Sequence, residues 1–292
     1  MHRRDLLSGA LLGVASNALP ASELSPETAS APQRPWKVID TNIDLFQWPF
    51  RRLPFDEVEK LVAKLRSLNV EQAWAGSYEG LLHRDLAGVN SRLAAACRRP
   101  GDGLLVPFGS VNLELPDWEE DLRRCHEEHR MAGIRLHPNY HGYTLEDPRF
   151  ARLLSIAAER GLLVQLAASM EDQRTQHPLV QVADVELAPL VDLMQRTPAV
   201  KVMILNYRPS GAVFESLADS PRVYFDIARV ESTDGVARLM RRVGTSRVVF
   251  GTHGPFLIFE SALIRTFESQ LTASENSSLF EQNARRLLGQ TA

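Results

Sequence analysis

Eight apolar runs, separated by segments with helical periodicity, are the feature of this sequence that most constrains its fold. The runs begin near Val38, Val70, Leu104, Gly133, Leu162, Val200, Val223 and Val248. They are rich in Val, Ile and Leu without clean polar alternation, which is typical of strands buried on both faces. The clearest helix between them has Asp147 as its N-cap, Pro148 at its first position and Gly161 as its stop. This alternation predicts an α/β fold, a closed parallel (β/α)8 TIM barrel.

The length of the chain agrees with one such barrel. The chain has 292 residues, and a (β/α)8 barrel alone takes about 250. A doubly wound open sheet is the alternative arrangement of the same elements. It is less well supported, because no glycine-rich phosphate turn follows the first strand.

Charge and hydropathy exclude several classes of partner. The formal net charge is -3, without a basic block, so nothing indicates nucleic acid or an anionic membrane surface. Hydrophobic residues make up 44% of the chain, which is enough for a full core, but no run is long enough to span a bilayer. We therefore expect a small-molecule substrate as the partner, and the sequence leaves the oligomeric state open.

The N-terminal segment has the features of an export signal. Arg3 and Arg4 precede a short apolar stretch, and Ser16-Asn17-Ala18 supplies small residues for cleavage. This pattern predicts a twin-arginine signal peptide and linker over residues 1–33, a barrel over 34–292 and a periplasmic location. A disordered or mis-started N-terminus is the alternative. Cys97 and Cys125 show no metal-type spacing and are predicted to be buried free thiols, although export would permit a disulfide.

The first strand ends in side chains that are able to carry chemistry. Residues 37–44 read Lys-Val-Ile-Asp-Thr-Asn-Ile-Asp, so Asn42 and Asp44 lie on one face of the strand at its C-terminal end. In a parallel barrel that end is the functional mouth. The segment therefore indicates a polar site inside the mouth of the barrel.

Several stretches in barrel order resemble the amidohydrolase superfamily. The first strand is similar to the family's Asp-Thr-His-x-His motif. Residues 131–138, Met-Ala-Gly-Ile-Arg-Leu-His-Pro, resemble its fourth strand. Residues 247–256, Arg-Val-Val-Phe-Gly-Thr-His-Gly-Pro-Phe, resemble its eighth strand, and residues 279–289 resemble its closing helix with an Asn-Ala-x-Arg-Leu core. The resemblance covers residues ~36 to 290 and implies a TIM barrel with its active site at the mouth.

The resemblance also implies that the family's metal ligands are replaced in this chain. The two first-strand histidines correspond to Asn42 and Asp44, and the fifth-strand histidine corresponds to Ala167. The sixth-strand histidine corresponds to Asn206, and the eighth-strand aspartate corresponds to His253. We therefore expect no metal and no other cofactor. If a divalent metal binds nevertheless, Asp44, His137 and His253 are the side chains able to hold it.

This set of residues predicts a metal-independent hydrolase acting on a lactone, ester or amide. Some lactone hydrolases of the superfamily act without a metal, with an acid–base residue at the eighth strand. His253 would be that residue here, with Asp44 orienting its imidazole. The residues predicted to bind the substrate or polarise its carbonyl are Asn42, His137, Tyr140, His141, Gln165, Arg174 and Asn206. A non-catalytic ligand-binding member of the superfamily and a decarboxylase-like lyase are the alternatives.

Overall fold

The computed structural model describes residues 37–290, and its eight strands confirm the predicted barrel. The strands are β1 (Val38–Leu45), β2 (Val70–Ser77), β3 (Leu105–Ser110), β4 (Gly133–Leu136), β5 (Leu163–Ala167), β6 (Val202–Leu205), β7 (Val223–Asp226) and β8 (Val248–Val249). They pair in parallel and in chain order from β1 to β8. The largest offset from the predicted starts is in β6, which was expected near Val200 and begins at Val202.

The last strand closes onto the first through backbone hydrogen bonds. The amide of Thr41 donates to the carbonyl of Phe250 at 2.9 Å, and the amide of Asp44 donates to the carbonyl of Gly254 at 2.9 Å. Because β8 itself is only two residues long, the segment after it completes this seam. The result is a nearly closed barrel in which the chain after β8 lies beside the end of β1.

Helices alternate with the strands around the barrel. They are α1 (Val58–Ser67), α2 (Leu86–Arg98), α3 (Trp118–Glu127), α4 (Pro138–His141), α5 (Pro148–Glu159), α6 (Ala188–Arg196), α7 (Gly211–Asp219), α8 (Gly235–Val243), α9 (Phe259–Glu268), α10 (Ala273–Ser277) and α11 (Asn283–Leu287). Helix α5 begins as predicted, since the side chain of Asp147 accepts a hydrogen bond from the amide of Arg149 and Pro148 is its first residue.

Three apolar clusters occupy three zones of the barrel. The largest cluster packs the strands against the surrounding helices and includes Leu65, Leu93 and Phe150. A second lies among strand residues and α11 and includes Ile39, Trp74 and Leu287. A third is aromatic and lies among the segments after the strands, at the mouth. Burial of the first cluster holds the helices on the barrel. The third cluster lies next to the polar residues at the strand ends.

The segment predicted as an export signal, residues 1–33, lies outside the described residues. Within residues 37–290, no helix combines the length and apolar character that crossing a membrane requires. Cys97 and Cys125 are both buried and free, and burial raises the pKa of the Cys97 thiol to about 12. Both thiols are therefore protonated at neutral pH, which agrees with the prediction of buried free cysteines.

Candidate active site

Asn42 and Asp44 both project into the lumen of the barrel. The Nδ2 group of Asn42 donates to Oδ1 of Asn206 at 2.8 Å and to Oδ2 of Asp226 at 2.6 Å. Oδ1 of Asp44 accepts a hydrogen bond from Arg135 at 2.8 Å. These partners follow or belong to β6, β7 and β4, which are not neighbours of β1, so the bonds must cross the lumen. The alternation along β1 therefore places both side chains where the sequence predicted a polar site.

A buried arginine on β4 lies at the middle of this network. Arg135 donates from Nε to Oε1 of Gln165 at 2.9 Å and from Nη1 to the carbonyl of Ile43 at 2.6 Å, in addition to its bond to Asp44. Its Nη2 donates to the carbonyl of Trp74 at 3.2 Å. The side chains of Arg135 and Asp44 are each only 1% exposed. The pair is therefore a desolvated ion pair whose arginine is held by carbonyl and amide oxygens as well as by the carboxylate.

Two glycines, which lack a side chain, provide the space that this network occupies. A Cβ atom on Gly76 would lie 2.5 Å from Oδ1 of Asp44 and 2.7 Å from Cδ of Arg135. A Cβ atom on Gly251 would lie 3.0 Å from the Cβ of Asn42. A Cβ atom cannot lie 2.5 Å from the Asp44 oxygen, so the ion pair of Arg135 and Asp44 in this geometry requires glycine at position 76.

His253 follows β8 and has one of its two ring nitrogens fixed. Its backbone φ is 56°, a left-handed conformation that is uncommon for a residue other than glycine. Nε2 lies 2.9 Å from the carbonyl oxygen of Met170. Because a carbonyl only accepts, Nε2 carries the hydrogen and Nδ1 carries the lone pair. Nδ1 is buried and has no hydrogen-bond partner within residues 37–290.

The surroundings of His253 keep its imidazole neutral. Burial lowers the pKa of His253 to about 4, while the charge of Asp44 acts in the opposite direction. The expectation that Asp44 orients this imidazole needs correction, because Asp44 bonds to Arg135 and the carbonyl of Met170 bonds to the ring. Asp44 acts on His253 through its charge alone. At neutral pH the ring is a proton acceptor at Nδ1.

A second buried imidazole lies near His253. Neither ring nitrogen of His137 has a hydrogen-bond partner among the described residues. Burial lowers the pKa of His137 well below its ordinary value, and the charges of His141, Arg135 and His253 act in the same direction. The ring of His141 lies 6.0 Å from that of His137, and its Nε2 bonds to the carbonyl of Gly80 at 2.8 Å. The charges of Arg135 and His253 therefore reach His137 within the lumen.

We call this group of lumen residues the polar centre. Its members are Asn42, Asp44, Arg135, His137, Gln165, Asn206, Asp226 and His253, and each is at most 2% exposed. Burial raises the pKa of Asp226 to about 6, against the hydrogen bond from Asn42. The centre thus combines one buried ion pair, two neutral imidazoles and a carboxyl group with a raised pKa.

Five aromatic rings lie over the mouth, and we call them the aromatic cover. The ring of Trp48 lies 5.7 Å from Phe50, 5.3 Å from Tyr78, 5.1 Å from Phe256 and 6.4 Å from Tyr140, all in edge-to-face arrangements. The Nε1 of Trp48 and the hydroxyl of Tyr78 are buried without a partner in the described range. The cover therefore encloses the polar centre with apolar rings and two unused donors.

Two contacts join the segment after β1 to the segment after β5. Arg51 pairs with Glu171 at 2.6 Å, and the Glu171 side chain is only 2% exposed. The ring of Phe50 stacks on that of His177 with centroids 5.7 Å apart. The polar centre is therefore buried beneath two segments that an ion pair and a ring stack hold together.

The predicted substrate-binding residues are not all brought together. Asn42, His137, Gln165 and Asn206 belong to the polar centre, whereas Tyr140 is part of the aromatic cover. His141 contacts both His137 and the segment after β2. Arg174 is separate, because its side chain is 88% exposed and pairs with Asp172 at 2.8 Å.

The residues present do not fit the divalent-metal centre that the superfamily implies. Within residues 37–290 there is no group of three or more His, Cys, Asp or Glu side chains able to hold a metal ion. The guanidinium of Arg135 already pairs with Oδ1 of Asp44, and its positive charge opposes a second cation at that carboxylate. Ala167 supplies no donor atom, and the amide nitrogen of Asn42 points its hydrogens at Asn206 and Asp226.

Some residues of the site were missed in the sequence. Arg135 and Asp226 belong to the polar centre, and Trp48 and Tyr78 belong to the aromatic cover. A usable signal existed for the first two, because each is a charged residue within or at the end of an apolar strand. For Trp48 and Tyr78 the sequence has no such signal, because their contacts join segments that are distant in the chain.

Comparisons with known proteins agree with the fold. The family described as amidohydrolase matches residues 36–290. No curated protein sequence matches the chain. The structure of 2,6-dihydroxybenzoate decarboxylase from Rhizobium has a TM-score of 0.69 at 13% identity, covering 87% of this chain and 99% of that protein.

Two further structures similar to this chain are also decarboxylases, and both contain manganese. One is 5-carboxyvanillate decarboxylase from Novosphingobium aromaticivorans, with manganese and 4-hydroxy-3-methoxy-5-nitrobenzoic acid. Its TM-score is 0.70 at 14% identity, covering 89% of this chain and 98% of that protein. The other is dihydroxybenzoic acid decarboxylase from Polaromonas, with manganese and 2-nitroresorcinol. Its TM-score is 0.68 at 12% identity, covering 87% and 97%. At these identities the likeness establishes the fold and not the reaction.

Proposed function

The chain belongs to the amidohydrolase family, and we propose that its polar centre hydrolyses a small lactone, ester or amide without a metal ion. The observation that carries this proposal is the state of His253. Its Nε2–H is fixed by the carbonyl of Met170, its Nδ1 has no hydrogen-bond partner among residues 37–290, and burial keeps the ring neutral. A neutral, oriented imidazole is a general base at physiological pH.

The proposed reaction uses two groups of this chain directly. Nδ1 of His253 takes a proton from water while the water oxygen forms a bond to the carbonyl carbon. The hydroxyl of Tyr78 donates a hydrogen bond to the oxyanion that develops, since burial raises the pKa of Tyr78 well above its ordinary value and keeps it protonated. The bond to the leaving oxygen or nitrogen then breaks, and that atom receives the proton from His253.

Arg135 contributes through its charge. Its guanidinium already donates to Gln165, Ile43, Trp74 and Asp44, so it has little capacity to bind substrate directly. A fixed positive charge in a water-poor lumen nevertheless stabilises negative charge that develops nearby. The ion pair with Asp44 keeps this charge in place.

Decarboxylation of an aromatic carboxylate is the second candidate. The aromatic cover suits a planar ring, and the similar structures named above are decarboxylases of hydroxylated benzoates. Such a reaction needs a proton delivered to the ring carbon as the carboxylate leaves. His137 and His253 are both neutral at physiological pH, because burial lowers the pKa of each. Their state suits proton acceptance better than proton donation, which favours hydrolysis.

The test is an activity panel on purified protein, assayed both as isolated and after treatment with a chelator. Lactones, esters and amides are followed by acid release, and 2,6-dihydroxybenzoate and 5-carboxyvanillate are followed by release of carbon dioxide. For the active substrate, His253→Ala should reduce the rate by about 10²- to 10⁴-fold. The control is Arg196→Gln, since this exposed residue of α6 makes only a 3.8 Å contact with Asp192, and it should keep the wild-type rate.

The outcomes separate the candidate functions. Carbon dioxide release without hydrolysis would favour the decarboxylase, and binding without turnover would favour a ligand-binding role. Hydrolysis at the wild-type rate in His253→Ala would show that another group is the base. Hydrolysis that disappears with the chelator and returns with manganese would restore a metal-dependent mechanism.

A further inference from the structure

A cavity lies on the face of the barrel that carries the strand ends, outside the lumen. It is a cleft of ≈ 510 Å³ between α7 and α8, bounded also by the segments that follow β6 and β7. This volume is within the range of small-molecule sites, about 300–1,000 Å³. None of the polar-centre residues lines it. We call it the α7–α8 cleft.

The walls of the α7–α8 cleft carry more positive than negative charge. Its charged lining residues are Arg208, Arg229, Arg238, Arg242, Glu215 and Glu231. Arg242 is neutralised by Glu215 and Asp219, and Arg208 lies 3.4 Å from Glu231. Among the described residues, neither Arg229 nor Arg238 forms an ion pair. The cleft therefore contains two arginines whose charge is not balanced by a direct acidic partner.

Arg229 is the more informative of the two, because it is buried. It is 6% exposed, and within the described part of the chain it makes one hydrogen bond, from Nη1 to the hydroxyl of Ser169 at 2.9 Å. A guanidinium has five N–H donors, so most of its donors have no protein partner. The charges of Glu231, Asp184 and Asp172 act on it from beyond ion-pair distance. Its remaining nitrogens are not among the fully buried atoms that lack a partner in residues 37–290, so they reach the cleft, where an anion would pair with them.

The remaining lining defines the body of the ligand. Phe214 of α7 and Leu239 of α8 are buried residues that contribute apolar surface to the same cleft. A simple inorganic anion would leave this surface uncovered. An anionic group attached to a small apolar body would use both parts of the cleft.

We propose that the α7–α8 cleft binds a small organic oxyanion, a carboxylate or a phosphate monoester, through Arg229 and Arg238, and that His253 senses its occupancy. The route between them is short. Arg229 holds the hydroxyl of Ser169, and the next residue, Met170, provides the carbonyl that fixes the His253 ring. An anion that reorients Arg229 therefore changes the environment of His253.

Calorimetric titration of the full chain tests the site. Benzoate and phenyl phosphate are the two probes, which distinguish a carboxylate from a phosphoryl ligand, and acetate tests the apolar body. We expect saturable binding of at least one aromatic probe and weaker binding of acetate. Arg229→Gln and Arg238→Gln each remove charged hydrogen bonds, so either variant should raise the Kd of that probe about 10- to 100-fold. Arg196→Gln is the matched control and should bind as wild type.

Two design features keep this result interpretable. Arg238 is exposed, so Arg238→Gln provides the same test if Arg229→Gln fails to fold. The site is separate from the proposed base, so binding should persist in His253→Ala even though hydrolysis is lost. Hydrolysis without probe binding would count against the α7–α8 cleft alone. Probe binding without hydrolysis would count against the proposed hydrolase alone.

Histidine-ring NMR tests the coupling. The resonance assigned to His253, by its disappearance in His253→Ala, should shift as the probe saturates, whereas that of exposed His83 should not. No saturable binding of either aromatic probe would overturn the proposed site. Binding that Arg238→Gln leaves unchanged would also overturn it, because an anion in the polar centre does not need Arg238. An unmoved His253 resonance at saturation would overturn the coupling.

Discussion

Removal of the buried cation is the sharpest test of how the lumen is built. Arg135→Met keeps most of the side-chain volume but removes the charge, and it leaves the Asp44 carboxylate, 1% exposed, without its ion pair. It also leaves the oxygens of Gln165, Ile43 and Trp74 without a donor. Breaking a buried ion pair from one side costs about 3–5 kcal/mol. That is a large part of the about 5–15 kcal/mol that stabilises a typical domain.

Urea unfolding of matched variants measures this cost. With a slope of about 2–3 kcal/mol per molar urea, the midpoint of Arg135→Met should fall by about 1–2.5 M. Adding Asp44→Asn removes the orphaned charge, so the double variant should be more stable than Arg135→Met alone. Arg196→Met, which loses only an exposed 3.8 Å contact, should change stability by less than about 0.5 kcal/mol. Equal stability of Arg135→Met and wild type, or no recovery in the double variant, would refute the reasoning.

Four further predictions concern pH, metal and export. Because the base must be unprotonated and burial lowers the pKa of His253 to about 4, hydrolysis should rise through a pH near 4 and stay level above it. A pH–rate profile with a midpoint near 6.5 would contradict this environment. Burial raises the pKa of Asp40 to about 7, whereas an aspartate in the unfolded chain has a pKa of about 3.9. The protonated Asp40 carboxyl therefore stabilises the fold fully below about pH 3.9, and this contribution is lost as pH rises through about 7. Asp40→Asn should accordingly flatten the loss of stability between pH 5 and pH 8 in urea unfolding. The purified protein should hold well under one equivalent of zinc, manganese or iron by elemental analysis, and a chelator should not change its Tm. Stoichiometric metal that is lost in Asp44→Ala would contradict this. Replacing Arg3 and Arg4 by lysine should retain the precursor inside the cell on fractionation, and unchanged export would mean that the segment is not a twin-arginine signal.

The positions of the elements were largely predictable because each depends on local patterns. Strands buried on both faces read as continuous apolar runs, and the run near Val248 identified β8 although only two residues are strand. The start of α5 was predictable from Asp147 and Pro148, because capping is a contact within one turn of chain. The resemblance to the amidohydrolase family then predicted which strand ends carry the site.

The sequence also indicated part of the lumen, but not which partners its side chains take. Alternation along β1 was sufficient to place Asn42 and Asp44 on one face. That Asp44 pairs with Arg135 and not with His253 depends on two strands that meet across the barrel, 91 residues apart in the chain. Local sequence carries no information about such a distance. The expected orientation of the His253 ring by Asp44 was wrong for this reason.

The electrostatic state of the site was decided by tertiary structure alone. A histidine in an unfolded chain titrates near 6.5, and nothing in the residues around His253 indicates otherwise. Closure of the barrel and of the aromatic cover removes water from the ring, so burial lowers its pKa to about 4. The sequence determined that an imidazole stands at the end of β8. Only the folded barrel decided that this imidazole is neutral, which of its nitrogens is free, and that a buried arginine lies beside Asp44.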